Sequence, residues 1–418
     1  MLTGQTKADP LPTPFAVGAR KGIYKEMFVM RKNRLRRFLP LVAASLSAIS
    51  LRAQDDAAAL ITRIEATQTP NRQGLDGFTL PELMQHFHVP GLSIAVIRDF
   101  KIHWVKAYGI ADVESGRPVE TNTPFQAASI SKPVTAMAAM RLVDERRFSL
   151  DDDINTILKS WHAPGRSVTP RSLMSHTSGA DDGFGFPGYD PSAPRPSLVQ
   201  VLDGKPPSNV GPVLFARPPY QAYKYSGGGV TIMQLALMDL MGRPFAEIMR
   251  SLVLDPLGMS DSSYEQPLPA ALAARAARAH NGQGKAMDAA WHIYPEQAAA
   301  GLWTTPGDLA RFMIEVQRAM GGPKGAVLTQ AAASAMVSPV GVGPFGVGLM
   351  IEKRGEGWYF SHGGSNWGFR GDMLAHVRKG YGAAILTNGD NGSPLIGEIE
   401  ARVAAAYNWD SLDKPLVR

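Results

Sequence analysis

Strand-forming runs lie near both ends of this chain, with a long helical and loop-rich stretch between them, and that order most restricts its possible folds. Leu92-Ser93-Ile94-Ala95-Val96-Ile97 breaks at Arg98-Asp99 and resumes over Ile102 to Tyr108, which predicts a hairpin. From Phe345 the strand period returns, over Val347–Ile351, Trp358–His362, Phe369–Val377 and Ala383–Leu386, with glycine-rich turns between. A last helix is predicted over about Leu395–Tyr407. The expected fold class is α/β (α+β): one antiparallel sheet built from about 90–115 and 345–390, flanked by helices, with a large, mostly helical insert over about 120–340. Within the insert, Thr305-Pro306-Gly307-Asp308 marks a helix start with an acidic capping residue. The 418 residues, 44% of them hydrophobic, suffice for a substantial core. One domain is expected over 55–408, followed by a tail at 409–418.

Charge is unevenly spread. Residues 1–53 hold ten Lys/Arg against two Asp/Glu, so the net +6 leaves only −2 on the remainder. That near-neutral remainder provides no electrostatic case for a nucleic-acid partner. Arg31-Lys32-Asn33-Arg34-Leu35-Arg36-Arg37, followed by the apolar run Phe38 to Ile49, reads instead as an export signal over about 30–53. The run is short for a membrane span of about 20 residues. A periplasmic or secreted protein is expected; the alternative is anchoring to the inner membrane by an uncleaved signal. Residues 1–29 read as neither signal nor domain, and translation is expected to start at Met27 or Met30. The chain has no cysteine, which excludes disulfides, thiolate metal sites and a cysteine nucleophile.

Ser129-Ile130-Ser131-Lys132 leads into an apolar, helix-forming run from Pro133 to Met140. A serine hydroxyl is a poor nucleophile at neutral pH and needs a base within hydrogen-bond reach. Residues three apart share a helix face, so Lys132 can supply that base. Free first-turn amides and the helix dipole favour an oxyanion beside Ser129. The bare pattern is weak, since about one match is expected by chance at this Ser and Lys content. Ser411-Leu412-Asp413-Lys414, in the polar tail, is such a match.

Three further stretches add polar groups. Tyr225-Ser226-Gly227-Gly228-Gly229 offers Tyr225 as a proton carrier, with Tyr220 and Tyr223 as nearby alternatives, and glycines that let backbone approach a ligand. Phe360-Ser361-His362-Gly363-Gly364-Ser365 exposes strand backbone beside His362, which could orient a substrate or assist proton movement. His176, in Ser175-His176-Thr177-Ser178-Gly179, could be a triad histidine; the preferred reading is that this segment braces the loop above the site. Gly341 to Gly346 matches the dinucleotide fingerprint but lacks a strand before and a helix after it. There is no Gly-x-Ser-x-Gly elbow and no His-Glu-x-x-His pair, and neither metal nor cofactor is expected.

Taken in order, Ser129-x-x-Lys132, Ser175-His176-Thr177-Ser178-Gly179, Tyr225-Ser226-Gly227, Pro256-Leu257-Gly258-Met259, Gly301-Leu302 and His362-Gly363-Gly364 resemble the serine β-lactamase-like, penicillin-binding-protein-like superfamily. Its members include class C β-lactamases, D-alanyl-D-alanine carboxypeptidases, D-aminopeptidases and family VIII esterases. The resemblance spans about 75–408. It implies that Ser129 is acylated, that Lys132 accepts its proton, and that Tyr225 relays protons to the leaving group and helps activate the deacylating water. His362 would stand where β-lactamases usually have the Lys of Lys-Thr-Gly. Backbone amides of Ser129 and Ser365 would form the oxyanion hole, where one lost donor costs about a hundred- to thousandfold in rate. Ser226, Gly227, Gly363 and Gly364 would line the substrate, and Arg370 would anchor a substrate carboxylate. Two departures matter: Gly227 stands where Asn is common, and His362 removes a permanent cation. The lack of a Glu-x-x-Leu-Asn element argues against a class A mechanism.

The expected function is hydrolysis of a small-molecule ester, amide or peptide through an acyl-serine intermediate. Esterase, D-amino-acid peptidase or carboxypeptidase, and weak β-lactamase all stay open. The alternative is a catalytically inactive penicillin- or peptidoglycan-binding module, although a pure binder has no need for Ser129, Lys132 and Tyr225 together.

Overall fold

The computed structural model describes residues 56–68, 74–165, 167–182, 185–321 and 325–413. The expected export signal at about 30–53, the 1–29 segment and the last residues of the tail lie outside them. By its contacts the chain divides into Met1–Ala58 and Ala59–Arg418, and the architecture below is that of the second unit.

Its strands are β1 (Gly91–Arg98), β2 (Lys101–Asp112), β3 (Arg117–Pro118), β4 (Phe125–Gln126), β5 (Trp303–Thr304), β6 (Met350–Arg354), β7 (Gly357–Asn366), β8 (Phe369–His376) and β9 (Gly382–Thr387). The short β4 and β5 pair with each other; the rest form one antiparallel sheet in the order β3-β2-β1-β9-β8-β7-β6. The last strand thus lies beside the first, with Leu92 opposite Thr387 and Ile97 opposite Gly382. Every residue from Gly91 to Ile97 and from Gly382 to Thr387 is buried. Side chains alternate across a strand, so such runs require cover on both faces.

Six helices bear on the site: α1 (Leu80–His86), α2 (Ser131–Asp144), α3 (Gly227–Met241), α4 (Gln297–Ala300), α5 (Pro306–Met320) and α6 (Gly392–Tyr407). Helix α5 packs on β1 and β9, and α6 on β8 and β9. Helix α2 has no polar face; Ser131 to Met140 are all buried, as befits a helix at the centre of a core. Helix α5 begins differently from the expectation of an acidic cap. Thr305 has the extended backbone of an N-cap and accepts from the Asp308 amide, while the Asp308 carboxylate accepts from Asp261 and Ser262. The predicted strand at Val347–Ile351 starts only at Met350, because Gly346 and Gly348 are wedged against Met336 and Ala136. No described helix is long and apolar enough to cross a membrane.

One carboxylate in the core lacks a partner. Glu296 is fully buried, and neither of its oxygens is hydrogen-bonded to another residue. Burial raises its pKa from the ordinary 4.5 to about 7. The folded chain therefore holds a proton that the unfolded chain releases, and the benefit is complete below pH 4.5 and lost as pH rises through 7. A shift of that size is worth on the order of 3 kcal/mol. Glu296→Gln is expected to match the native melting temperature near pH 4.5 and to exceed it by several degrees at pH 8. Equal offsets at both pH values, read by thermal denaturation, would contradict this.

Candidate active site

Residues Ala128–Ile130 form a single 3₁₀ turn that runs straight into α2, which sets Ser129 on the turn and Lys132 in the first helical turn. Ala128 has φ +51°, a left-handed conformation that a non-glycine residue keeps only when its surroundings impose it. Ser131 imposes it. Its hydroxyl donates to the Ala128 carbonyl at 2.5 Å and accepts from the Leu302 amide at 2.9 Å. Ser131 stands inside the Ser-x-x-Lys motif, yet sequence reasoning assigned it no role.

Lys132 is 3% exposed, and its Nζ lies 2.9 Å from Ser129 Oγ and 2.8 Å from the Ala299 carbonyl of α4. Burial lowers its pKa from 10.5 to about 7, with the Asp182 carboxylate opposing more weakly. The neutral amine, abundant above pH 7, can accept a proton from Ser129. Lys132 Nζ also sits 4.9 Å from the centre of the Tyr225 ring. The Tyr225 phenol hydrogen-bonds Ser129, and burial pushes its pKa far up, so it stays protonated.

Helix α3 begins at Gly227, so the three glycines form its first turn. Ser226 is the N-cap, accepting from the Gly229 amide at 2.8 Å and donating to the Asp182 carboxylate, which also accepts from the Gly228 amide at 2.7 Å. A Cβ on Gly227 would fall 2.7 Å from the Phe186 ring, and one on Gly228 2.4 Å from Val213. These glycines make room for neighbouring protein. The Ser226 hydroxyl is thereby engaged in capping, and the face of Gly227 that lacks a Cβ is turned to Phe186.

Strand β6 covers β7 only as far as Ser361. From His362 to Asn366, β7 has β8 on one side, and the Ser129 turn packs against it. A Cβ on Gly364 would lie 2.2 Å from the Ala127 carbonyl, so only glycine admits the turn this closely. His362 Nδ1 is 2.7 Å from the Gly363 carbonyl, which makes it the protonated nitrogen of a neutral ring and leaves Nε2 as an acceptor. Burial, with the nearby Lys132, holds its pKa down to about 3. Arg370 donates to the Asn366 and Phe369 carbonyls at 2.7 and 2.8 Å and to Asp390 at 2.9 Å, bracing the β7–β8 hairpin.

Ser129, Lys132, Tyr225, His362, Gly363, Gly364 and Ser365 line one cavity of about 820 Å³. Phe186, Tyr223 and Phe345 form an aromatic wall, with Tyr223 stacked on Phe345 at 5.7 Å. At the other end stand Asp372 and Glu400, which hydrogen-bond each other; burial raises both pKa values, so the pair retains a proton. Phe345 and the Asp372–Glu400 pair were not anticipated. Gly343 has φ +91°, and its missing Cβ leaves room for the Tyr223 ring. Among the described residues, no group of three or more His, Asp or Glu could hold a metal ion.

The model of the β-lactamase family matches residues 79–407. Penicillin-binding protein 4 of Amycolatopsis lactamdurans is 28% identical over 327 residues, covering 73% of this chain and 83% of that protein. Esterase EstB of Burkholderia gladioli is 27% identical, over 55% of this chain and 57% of its own length. The crystal structure of SurE superposes with a TM-score of 0.63 at 26% identity, covering 79% of this chain and 75% of that one.

If Lys132 is the base, labelling of Ser129 by a fluorophosphonate should accelerate with pH around a midpoint near 7, where the amine loses its proton. Lys132→Met should slow it by about a hundredfold or more and erase that midpoint. Rates measured by mass spectrometry that are flat between pH 5 and 9 would remove Lys132 from the role.

Proposed function

The chain belongs to the β-lactamase family, and from that premise we propose that it hydrolyses carboxylate-free esters and amides through an acyl-enzyme on Ser129. It is a serine hydrolase. The observation that carries the proposal is the three-way contact of Ser129 with a buried, deprotonatable Lys132 and the protonated Tyr225 phenol. In the proposed reaction, Ser129 Oγ bonds to the substrate carbonyl carbon while its proton passes to neutral Lys132 Nζ. The carbonyl electron pair moves onto oxygen, beside the amides of Ser129 and Ser365. Tyr225 protonates the departing oxygen or nitrogen as its bond to carbon breaks, and is reprotonated from Lys132. Water then attacks the acyl-serine, losing its proton to the same pair, and Ser129 is released. Neutral His362 would orient the substrate through Nε2.

The charge inventory of the cavity supports the choice of substrate. Lys132 is its one basic chain of cationic type among the described lining residues, and it must be neutral to work. His362 is neutral, Arg370 donates to Asp390, and the Asp372–Glu400 pair, raised in pKa by burial, is faced by the Arg354 guanidinium at 3.7 Å from Glu400. A substrate carboxylate, as in penicillins and D-alanyl-D-alanine peptides, would find no permanent partner. Similarity to an esterase points the same way.

Turnover of p-nitrophenyl butyrate, D-alanine p-nitroanilide and nitrocefin should be compared directly. Ester hydrolysis is expected to exceed nitrocefin hydrolysis by about a hundredfold in kcat/KM, a difference of some 2.7 kcal/mol. Ser129→Ala should lose about a thousandfold or more with its melting temperature nearly unchanged. Preference for nitrocefin would overturn the substrate assignment, and ester turnover by Ser129→Ala the nucleophile. A lasting penicillin adduct without any turnover would establish the binding-module alternative.

A further inference from the structure

His176 grips the backbone on both sides of Tyr225. Its carbonyl accepts from the Lys224 amide at 2.9 Å, and its Nδ1 accepts from the Ser226 amide at 3.2 Å. Its ring also lies against the Tyr225 ring, with centroids 4.3 Å apart and planes 32° apart, and meets Phe345 edge-on at 4.8 Å. We infer that His176 is a positioning residue whose two acceptors, Nδ1 and the backbone carbonyl, fix Tyr225 at the distance from Ser129 that proton relay requires. The inference rests on the proposed role of Tyr225 and extends it to a residue that touches neither substrate nor Ser129.

The segment is built to be stiff. His176 has φ +60° because it follows the short helix Pro170–Met174, where the Leu173 carbonyl accepts from its amide at 3.4 Å and the Ser172 carbonyl from the Thr177 amide at 2.9 Å. Its neighbours are tied across to the tyrosine loop, through Thr177 carbonyl to Tyr220 amide at 2.7 Å and Gly179 carbonyl to Ala216 amide at 3.0 Å. The hydroxyls of Ser175 and Thr177 are 2.8 Å apart. Nδ1 can accept only from an imidazole that carries its proton on Nε2. Full burial, with Lys132 and His362 close by, keeps the ring in that neutral form. Tyr225 itself sits on a stretch without helix or strand, between Ala216 and the start of α3, and cannot rely on regular structure for its placement. A displacement of about 1 Å at a reacting group can cost about a hundredfold in rate.

The experiment compares His176→Phe, His176→Asn and Tyr225→Phe by steady-state hydrolysis of p-nitrophenyl butyrate, well below each melting temperature. His176→Phe keeps a ring and loses the acceptor; its kcat is expected to fall about 10- to 100-fold with KM within about twofold. Asn tolerates the left-handed backbone, and its Oδ1 can take the Ser226 amide, so His176→Asn should recover most of kcat. Should His176→Phe fail to fold, His176→Gly, which accepts the same φ without strain, replaces it with the same expected loss. An equal loss in the Asn variant and the acceptor-less variant, or kcat within twofold of native in the latter, overturns the inference. A fully active Tyr225→Phe enzyme would instead strike down the proposed role of Tyr225, a result separate from either.

Discussion

A buried amine beside a hydroxyl is the constraint on which the rest of this molecule depends. At its ordinary pKa of 10.5, roughly one lysine in 3,000 is neutral at pH 7; at about 7 the fraction is roughly half. Taking the side chain out of water produces that change. Helix α2 contributes by burying every residue from Ser131 to Met140. Nζ lies within hydrogen-bond distance of Ser129 Oγ and the Ala299 carbonyl, both uncharged. Asp182, the one carboxylate that favours the ammonium, already accepts from Ser226 and Gly228 at the start of α3. A carboxylate in direct contact would have restored the charge and removed the base.

The sheet answers a second requirement, access. Under the proposed function, a substrate must reach Ser129 while Lys132 stays largely buried. Because β6 stops opposite Ser361, the next five residues of β7 have no strand on that side. The Ser129 turn takes up part of this edge, and Gly364 lets it come within contact of the strand. What remains is a cleft open along β7, closed behind by the helices and walled by Phe186, Tyr223 and Phe345. Pairing of β1 with β9 makes this geometry possible, since it ties β7 and β8 to the N-terminal hairpin that α5 packs against.

The sequence made legible whatever depends on local spacing. The hairpin at β1–β2, the return of strand period after Phe345, and the shared helix face of Ser129 and Lys132 are statements about residues within a few positions of each other. Roles set by distant neighbours were hidden. Gly227 and Gly364 look alike as letters; one makes room for Phe186, the other for the Ser129 turn. Arg370 sits within eight residues of His362, but Asp390 and the hairpin carbonyls claim its guanidinium. At the start of α5 two residues could cap, and only the backbone angles of Thr305 decide between it and Asp308. Asp372 and Glu400 meet because β8 and α6 pack together, which no spacing announces.

Backbone strain is placed with the same economy. Several non-glycine residues have positive φ, and most have local reasons. Asp99 and Phe100 turn the β1–β2 hairpin, where a tight loop calls for that conformation. Arg146 and Asn408 end helices, and His88 follows the end of α1. Ala128 and Tyr220 terminate no helix and close no hairpin, whereas His176 follows the end of the short helix Pro170–Met174, as His88 follows α1. Ala128 adjoins Ser129, His176 brackets Tyr225, and Tyr220 is bonded to Thr177 on the same loop pair. Each left-handed residue costs about 1–2 kcal/mol, so keeping them requires surroundings that leave no alternative. Ser131 provides this for Ala128, and the bond from the Tyr220 amide to the Thr177 carbonyl for Tyr220. Under the proposed function, the hydroxyl and the phenol are thus held in register before a substrate arrives, and neither must be rearranged as the bond to carbon forms.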